Sequence, residues 1–174
     1  MKIAICGKMC SGKSTLADHI MRNYSGYQIY SFSKKVKELC SELFNMNGKD
    51  RELLITFANK MRDIDENVWI NQVLRETKGK HNCIIDDVRY QNEVDALIKD
   101  GWKIIQLHIP YDLQKKRIMR IYPHNYKEHL NVSNHISEQN KFVFPNSYPQ
   151  LSFMIEESNE SKLIHEINLL LIKY

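Results

Sequence analysis

Residues Gly7-Lys8-Met9-Cys10-Ser11-Gly12-Lys13-Ser14 fit the spacing G-x-x-x-x-G-K-[ST] without a gap. Glycine lets a backbone fold tightly around an anion. Successive N–H groups and a following helix N-terminus then point at the phosphate chain of a nucleoside triphosphate. Lys13 is placed to reach the β- and γ-oxygens, and the Ser14 hydroxyl to ligate Mg²⁺. With Thr15, which follows, these residues form the candidate ATP-contacting set; Lys8 could touch phosphate or remain in solvent. A glycine turn can match this pattern by chance, so the flanking elements decide. Here an apolar run over 2–6 precedes the loop and a helical pattern over 14–22 follows it.

A second group of residues could serve the same chemistry. The run Cys83-Ile84-Ile85-Asp86-Asp87-Val88-Arg89 reads as a buried strand ending in two carboxylates. In an open α/β sheet, ligands bind beyond the carboxyl ends of the strands, so these aspartates arrive at the edge that carries the glycine loop. Either could hold Mg²⁺ or orient an acceptor, or could simply cap a helix. Phosphoryl transfer between two anions also needs cations where negative charge spreads in the transition state. Arg62, Arg89, Arg117 and Arg120 are the candidates. Arg89 follows the aspartates and would fork onto an acceptor phosphate. Arg117 and Arg120, one helical turn apart, could swing over the triphosphate when a lid closes, or form a solvated basic face with Lys115 and Lys116.

These residues need a scaffold, and the hydrophobic pattern supplies one. Strands are expected over 2–6, 27–32, 82–88, 102–109 and 151–156. Helices are expected over 14–22, from a Ser33 cap with Val36, Leu39, Cys40 and Leu43 at helical spacing, over 49–61, over 66–77 with Asp65 as N-cap, over 90–99 and over 112–121. A closing amphipathic helix over 160–173 turns Leu163, Ile164, Ile167, Leu170 and Leu171 inward. The stretch 122–150 is polar, rich in Asn and His, and holds Pro123, Pro145 and Pro149; it reads as a mobile lid and an irregular connection. Strands alternating with helices predict an α/β chain, a three-layer α/β/α P-loop NTPase fold with about five mostly parallel strands. One domain is expected over 1–174, with a helical acceptor-binding insertion at about 33–78 and a lid at about 115–140.

The bulk properties agree. A chain of 174 residues can bury roughly 70% of its unfolded surface without a metal or disulfide staple. A net charge of +4, well mixed, suits anionic small molecules and is too weak to argue for a nucleic-acid partner. Cys6, Cys10, Cys40 and Cys83 form no zinc-like pair and read as reduced thiols in a cytosol-like compartment. His124, His129 and His135 are spread over the expected lid without metal-ligand spacing. No apolar stretch approaches the ~20 residues needed to span a bilayer.

Five segments in order, Gly7 to Ser14, Lys49-Asp50-Arg51-Glu52-Leu53-Leu54, Arg62-Asp63-Ile64-Asp65 with Trp69, Asp87-Val88-Arg89-Tyr90-Gln91-Asn92-Glu93 and His135-Ile136-Ser137-Glu138, resemble the phage- and virus-type deoxynucleoside monophosphate kinases. The likeness covers nearly the whole chain and is weakest over 122–150. The most selective segment is Asp-Val-Arg-aromatic-x-Asn-Glu after a strand. The resemblance implies transfer of a phosphoryl group from ATP, with Mg²⁺, to a deoxynucleoside 5′-monophosphate, in the cytoplasm, that of the host if the source is viral. It favours Asp87 over Asp86 for the metal and places Arg62, Trp69, Arg89, Asn92, Glu93 and Glu138 at or near the acceptor. Trp69 would offer a face to a base or be a core residue, Glu93 could be an ordinary first-turn acid, and Arg62 could pair with Asp63 or Asp65. Ile136 stands where proline is common in that group, and Tyr90 where Phe is usual. Small-molecule nucleotides are the expected partners, with no membrane and no stable nucleic-acid partner, and with a monomer or homodimer both open. Two other readings keep the loop: a kinase of another phosphorylated metabolite, and a nucleotide-binding ATPase or switch.

Overall fold

Side chains alternate along β1 (Lys2–Gly7), and that alternation builds both cores. Ala4 and Cys6 enter one buried cluster, and Ile3 and Ile5 enter the other. The computed structural model describes residues 1–48, 50–132, 141–149, 151–156 and 160–172. Its strands are β1, β2 (Gln28–Tyr30), β3 (Cys83–Val88), β4 (Lys103–His108) and β5 (Leu151–Met154). They form one sheet in the order β2-β3-β1-β4-β5, and every pairing is parallel. A parallel sheet must be covered on both faces, which is why its central strands are almost entirely apolar.

One face packs against α2 (Phe32–Phe44), α3 (Arg51–Ile64), α4 (Val68–Glu76) and α5 (Gln91–Lys99) through Val36, Cys40, Ala58, Trp69, Val73 and Leu97. The other carries α1 (Lys13–Asn23) and α8 (Glu160–Ile172), through Leu16, Ile20, Leu163 and Ile167. The expected three-layer α/β/α arrangement with five strands is therefore the one observed. Among the described residues, no helix is long and apolar enough to cross a membrane.

Several boundaries differ from the sequence pattern. β2 is only three residues long, and Ser31, not Ser33, is the N-cap of α2. Leu43 is 60% exposed, although its spacing matched the buried face of α2. Asp50 caps α3 by accepting from the Leu53 amide at 3.0 Å. Asp65 ends α3 instead of starting α4; Asn67 is the N-cap there, and its amide donates to Asp65 Oδ1 at 2.9 Å.

The region expected as lid and loop holds α6 (Tyr111–Ile121) and a further helix, α7 (Tyr126–Val132). Residues 141–149 lack regular structure yet are fastened down. The Tyr148 hydroxyl donates to Trp102 O at 3.0 Å and accepts from the Ile104 amide at 2.6 Å, while Phe142 and Phe144 pack on the core. His135, Glu138 and Lys49 lie outside the described residues, as do the side chains of Leu170 and Leu171.

Candidate functional site

The loop between β1 and α1 has the backbone its glycines imply. Gly12 is the N-cap of α1 at φ 94°, in the left-handed region that disfavours a side chain. At Gly7 the constraint is space: a Cβ there would lie 2.6 Å from Ser11 Oγ and 2.8 Å from Leu107 O. The Lys13 ammonium folds back over the loop, donating to Gly7 O at 2.7 Å and Lys8 O at 2.8 Å. Ser11 is buried, and its amide closes the turn onto Lys8 O at 3.2 Å. Cys6, beneath the loop, is a free thiol whose pKa burial pushes up to about 12, so it stays protonated.

The two aspartates of β3 separate onto different partners. The Ser14 hydroxyl donates to Asp86 Oδ2 at 2.6 Å. Asp87 accepts instead from Ser31 Oγ at 2.6 Å and from the Phe32 and Ser33 amides at 3.0 and 2.9 Å. Both oxygens of Asp87 are thus engaged at the N-terminus of α2, where orphan amides and the helix dipole favour a carboxylate. Asp86, not the Asp87 that the resemblance favours for the metal, is therefore the carboxylate in contact with Ser14. The β1–β3 register explains the split: Ala4 pairs with Ile85 but Cys6 pairs with Val88, so β3 carries one extra residue across Asp86-Asp87.

A cavity of about 800 Å³ opens over the loop, lined from Met9 to Thr15 by the loop itself and beyond it by Arg22, Arg117, Arg120, Tyr122 and Glu156. Gly7 and Lys8 shape the turn through their carbonyls and are not part of that lining. Arg117 already lies on the loop, with Nη1 donating to Cys10 O at 3.2 Å, whereas Arg120 is exposed at the rim. Sequence reasoning missed Gln114, which is buried and donates from Nε2 to Met9 O at 3.0 Å. Its signal was available: it lies one turn before Arg117, on the face of α6 that also buries Ile118.

Most of the expected acceptor residues form a second cluster. Arg62 lies with its guanidinium carbon 4.7 Å from the Tyr90 ring centre and its Nη2 3.9 Å from Glu93 Oε1. It pairs with Glu93, not with Asp63 or Asp65. Glu93 is 3% exposed and accepts from the Arg89 and Tyr90 amides at 2.7 and 3.1 Å. Burial raises its pKa to about 7, against the opposing pull of those two amides. Asn92 reaches Glu66 O and Asn67 Oδ1 at 3.5 and 3.4 Å, tying α5 to the turn before α4. Trp69 does not belong to this surface. It is 3% exposed and donates from Nε1 to Ala58 O at 3.1 Å, so the expectation of a face offered to a base is replaced by a core role.

Comparison with known proteins bears on the fold and the family. A solved protein from Thermus thermophilus, TT1252, superimposes with a TM-score of 0.57 at 17% identity, covering 99% of this chain and 97% of its own, a likeness of fold. No curated protein matches the chain. The family model described as AAA domain matches residues 3–141, a span that includes the glycine loop, both β3 aspartates and the arginines of α6. The chain belongs to the AAA domain family, a P-loop NTPase-type family with a nucleotide-binding site.

Proposed function

We propose that the chain is a nucleotide kinase that moves the γ-phosphoryl group of ATP onto a deoxynucleoside 5′-monophosphate, giving the diphosphate and ADP. The observation that carries this reading is the convergence of the loop, Arg117 and Ser14, itself bonded to Asp86, on one cavity. A hydroxyl and a carboxylate oxygen in contact are hard donors that suit Mg²⁺, so Ser14 and Asp86 would hold it. When bound, the ion neutralises β- and γ-oxygens.

The rest is done by the chain's own side chains. The loop amides and Lys13 hold the donor phosphates. Arg117 and Arg120 collect charge on the transferring group and keep water from the γ-phosphorus. Arg89, with Arg62 near it, holds the acceptor phosphate. An oxygen of that phosphate attacks in line while the bond from the γ-phosphorus to the β-bridging oxygen breaks. The acceptor is already anionic, so no strong general base is needed. The deoxynucleoside acceptor rests on the Arg62, Arg89, Asn92 and Glu93 pattern, and the three helices α2–α4 between β2 and β3 would supply the acceptor side.

The test is coupled ADP release with a panel of ribo- and deoxyribonucleoside monophosphates. Release that requires a deoxynucleoside monophosphate is expected. Release that requires a different phosphorylated metabolite would move the acceptor assignment, and release driven only by DNA or RNA would replace the kinase reading.

A further inference from the structure

A second cavity, of about 630 Å³, lies between α3 and α7. Small-molecule sites run from roughly 300 to 1,000 Å³. Arg51, Glu52 and Thr56 line it from α3, Tyr122 from the end of α6, and Glu128 and His129 from α7. Tyr122 also lines the P-loop cavity, so the two spaces share a wall.

The pairing inside this cavity is chemically unusual. Arg51 Nη1 lies 2.9 Å from His129 Nδ1. A guanidinium only donates, so that nitrogen presents its lone pair and His129 is neutral, with its proton on Nε2. The ring is 6% exposed and stacks on Tyr122 with centroids 3.8 Å apart. Among the described residues, Arg51 makes no ion pair. A half-buried guanidinium held by a neutral ring keeps its charge uncompensated, and an anion entering the cavity gains the full charge-assisted bond. Glu52 and Glu128 offer acceptors for hydrogen-bond donors. A nucleoside monophosphate presents both an anion and such donors.

We propose that this cavity takes the acceptor monophosphate, with Arg51 as a ligand of its phosphate, and that His129 takes up a proton when the acceptor binds. The proposal rests on the kinase reading and names Arg51 as a further cation for the acceptor phosphate. Arg51 turns from His129 to a phosphate oxygen. The ring loses that donor and faces an anion, so Nδ1 is protonated from solvent and donates in turn. Among the described residues that line the cavity, the charged and titratable groups are Arg51 and Glu52 on α3, Tyr122 at the end of α6 and Glu128 on α7. The two acids favour the imidazolium; Arg51 opposes it until the phosphate neutralises the guanidinium.

Calorimetry on the full chain decides it. Each of the four common deoxynucleoside 5′-monophosphates is titrated in two buffers of different ionisation enthalpy near neutral pH, alongside Mg·ATP. The wild type is expected to take up protons on binding its monophosphate. Arg51→Gln should weaken that binding roughly 10- to 100-fold, the range for a lost bond to a charged group. Its Mg·ATP affinity should be unchanged. Arg51→Lys should weaken it less, and it stands in if Arg51→Gln does not fold. His129→Asn, which keeps an acceptor near Nδ1 but cannot titrate, should abolish the uptake. Wild-type affinity in Arg51→Gln, or persistent uptake in His129→Asn, overturns the inference. Either of those two results leaves the kinase reading standing; if no monophosphate binds while Mg·ATP does, the inference falls together with the deoxynucleoside acceptor. If Mg·ATP fails to bind, the kinase reading falls and takes it along.

Discussion

The P-loop and the Arg62–Glu93 cluster are assembled by opposite means. At the P-loop the binding groups are backbone amides from one unbroken stretch, set by Gly7 and Gly12 and pinned by the Lys13 and Gln114 contacts. At the Arg62–Glu93 end they are side chains from α3, the β3–α5 turn and α5, assembled only by packing. A backbone site tolerates varied side chains and depends on conformation. A side-chain site depends on register, burial and protonation, and so can be tuned to one acceptor.

The largest expected effect breaks the donor end alone. Lys13→Ala should lower turnover by on the order of 10⁴ while the melting temperature stays near that of the wild type. Full activity in coupled ADP release would remove the donor assignment.

The two β3 aspartates sharpen the contrast. Asp86→Asn should cost about 10²–10³ in kcat and raise the Mg²⁺ concentration needed. Asp87→Asn should instead cost about 1–2 kcal/mol of stability through the lost charge at the start of α2, read by chemical denaturation. Reversal of the two phenotypes would return the metal to Asp87.

Glu93 tests the acceptor end by pH. Its folded-state pKa of about 7 lies above the ordinary 4.5, so the native state keeps a proton that the unfolded chain releases. Its contribution to stability is complete below about 4.5 and is lost as pH rises through about 7, by on the order of 3 kcal/mol. Glu93→Gln should remove that slope, and denaturation curves at several pH values in the window would show it. An unchanged slope means another group is responsible. The smallest effect is expected from Trp69→Phe, which loses one buried hydrogen bond and should cost about 1 kcal/mol, with KM for the acceptor unaltered. A large rise in KM would put the indole back in the site.

Legibility in the sequence follows the same division. The loop was readable because its chemistry depends on contiguous spacing, and the sheet because parallel strands are near-continuous apolar runs. Asp86 and Asp87 were ranked only by the resemblance, which favoured Asp87; the residue pattern alone could not rank them, since neighbouring strand residues face opposite sides and the extra residue in β3 decides which side each takes. Trp69 looked the same whether buried or lining a site, because an indole serves both. α7 was hidden by the polar, proline-containing composition around it. Arg51 lay inside a recognised segment, yet its partner His129 is 78 residues away and becomes visible only through packing.

The lengths of the strands carry a last implication. β1, β3 and β4 are six residues each, but the outermost strands, β2 and β5, have only three and four. A sheet rim is where unpaired amides and carbonyls can recruit another chain and seed aggregation. Here that exposed ladder is cut to a few groups per side, so the longest hydrogen-bonding runs are sealed in the interior and the molecule offers little template for self-association.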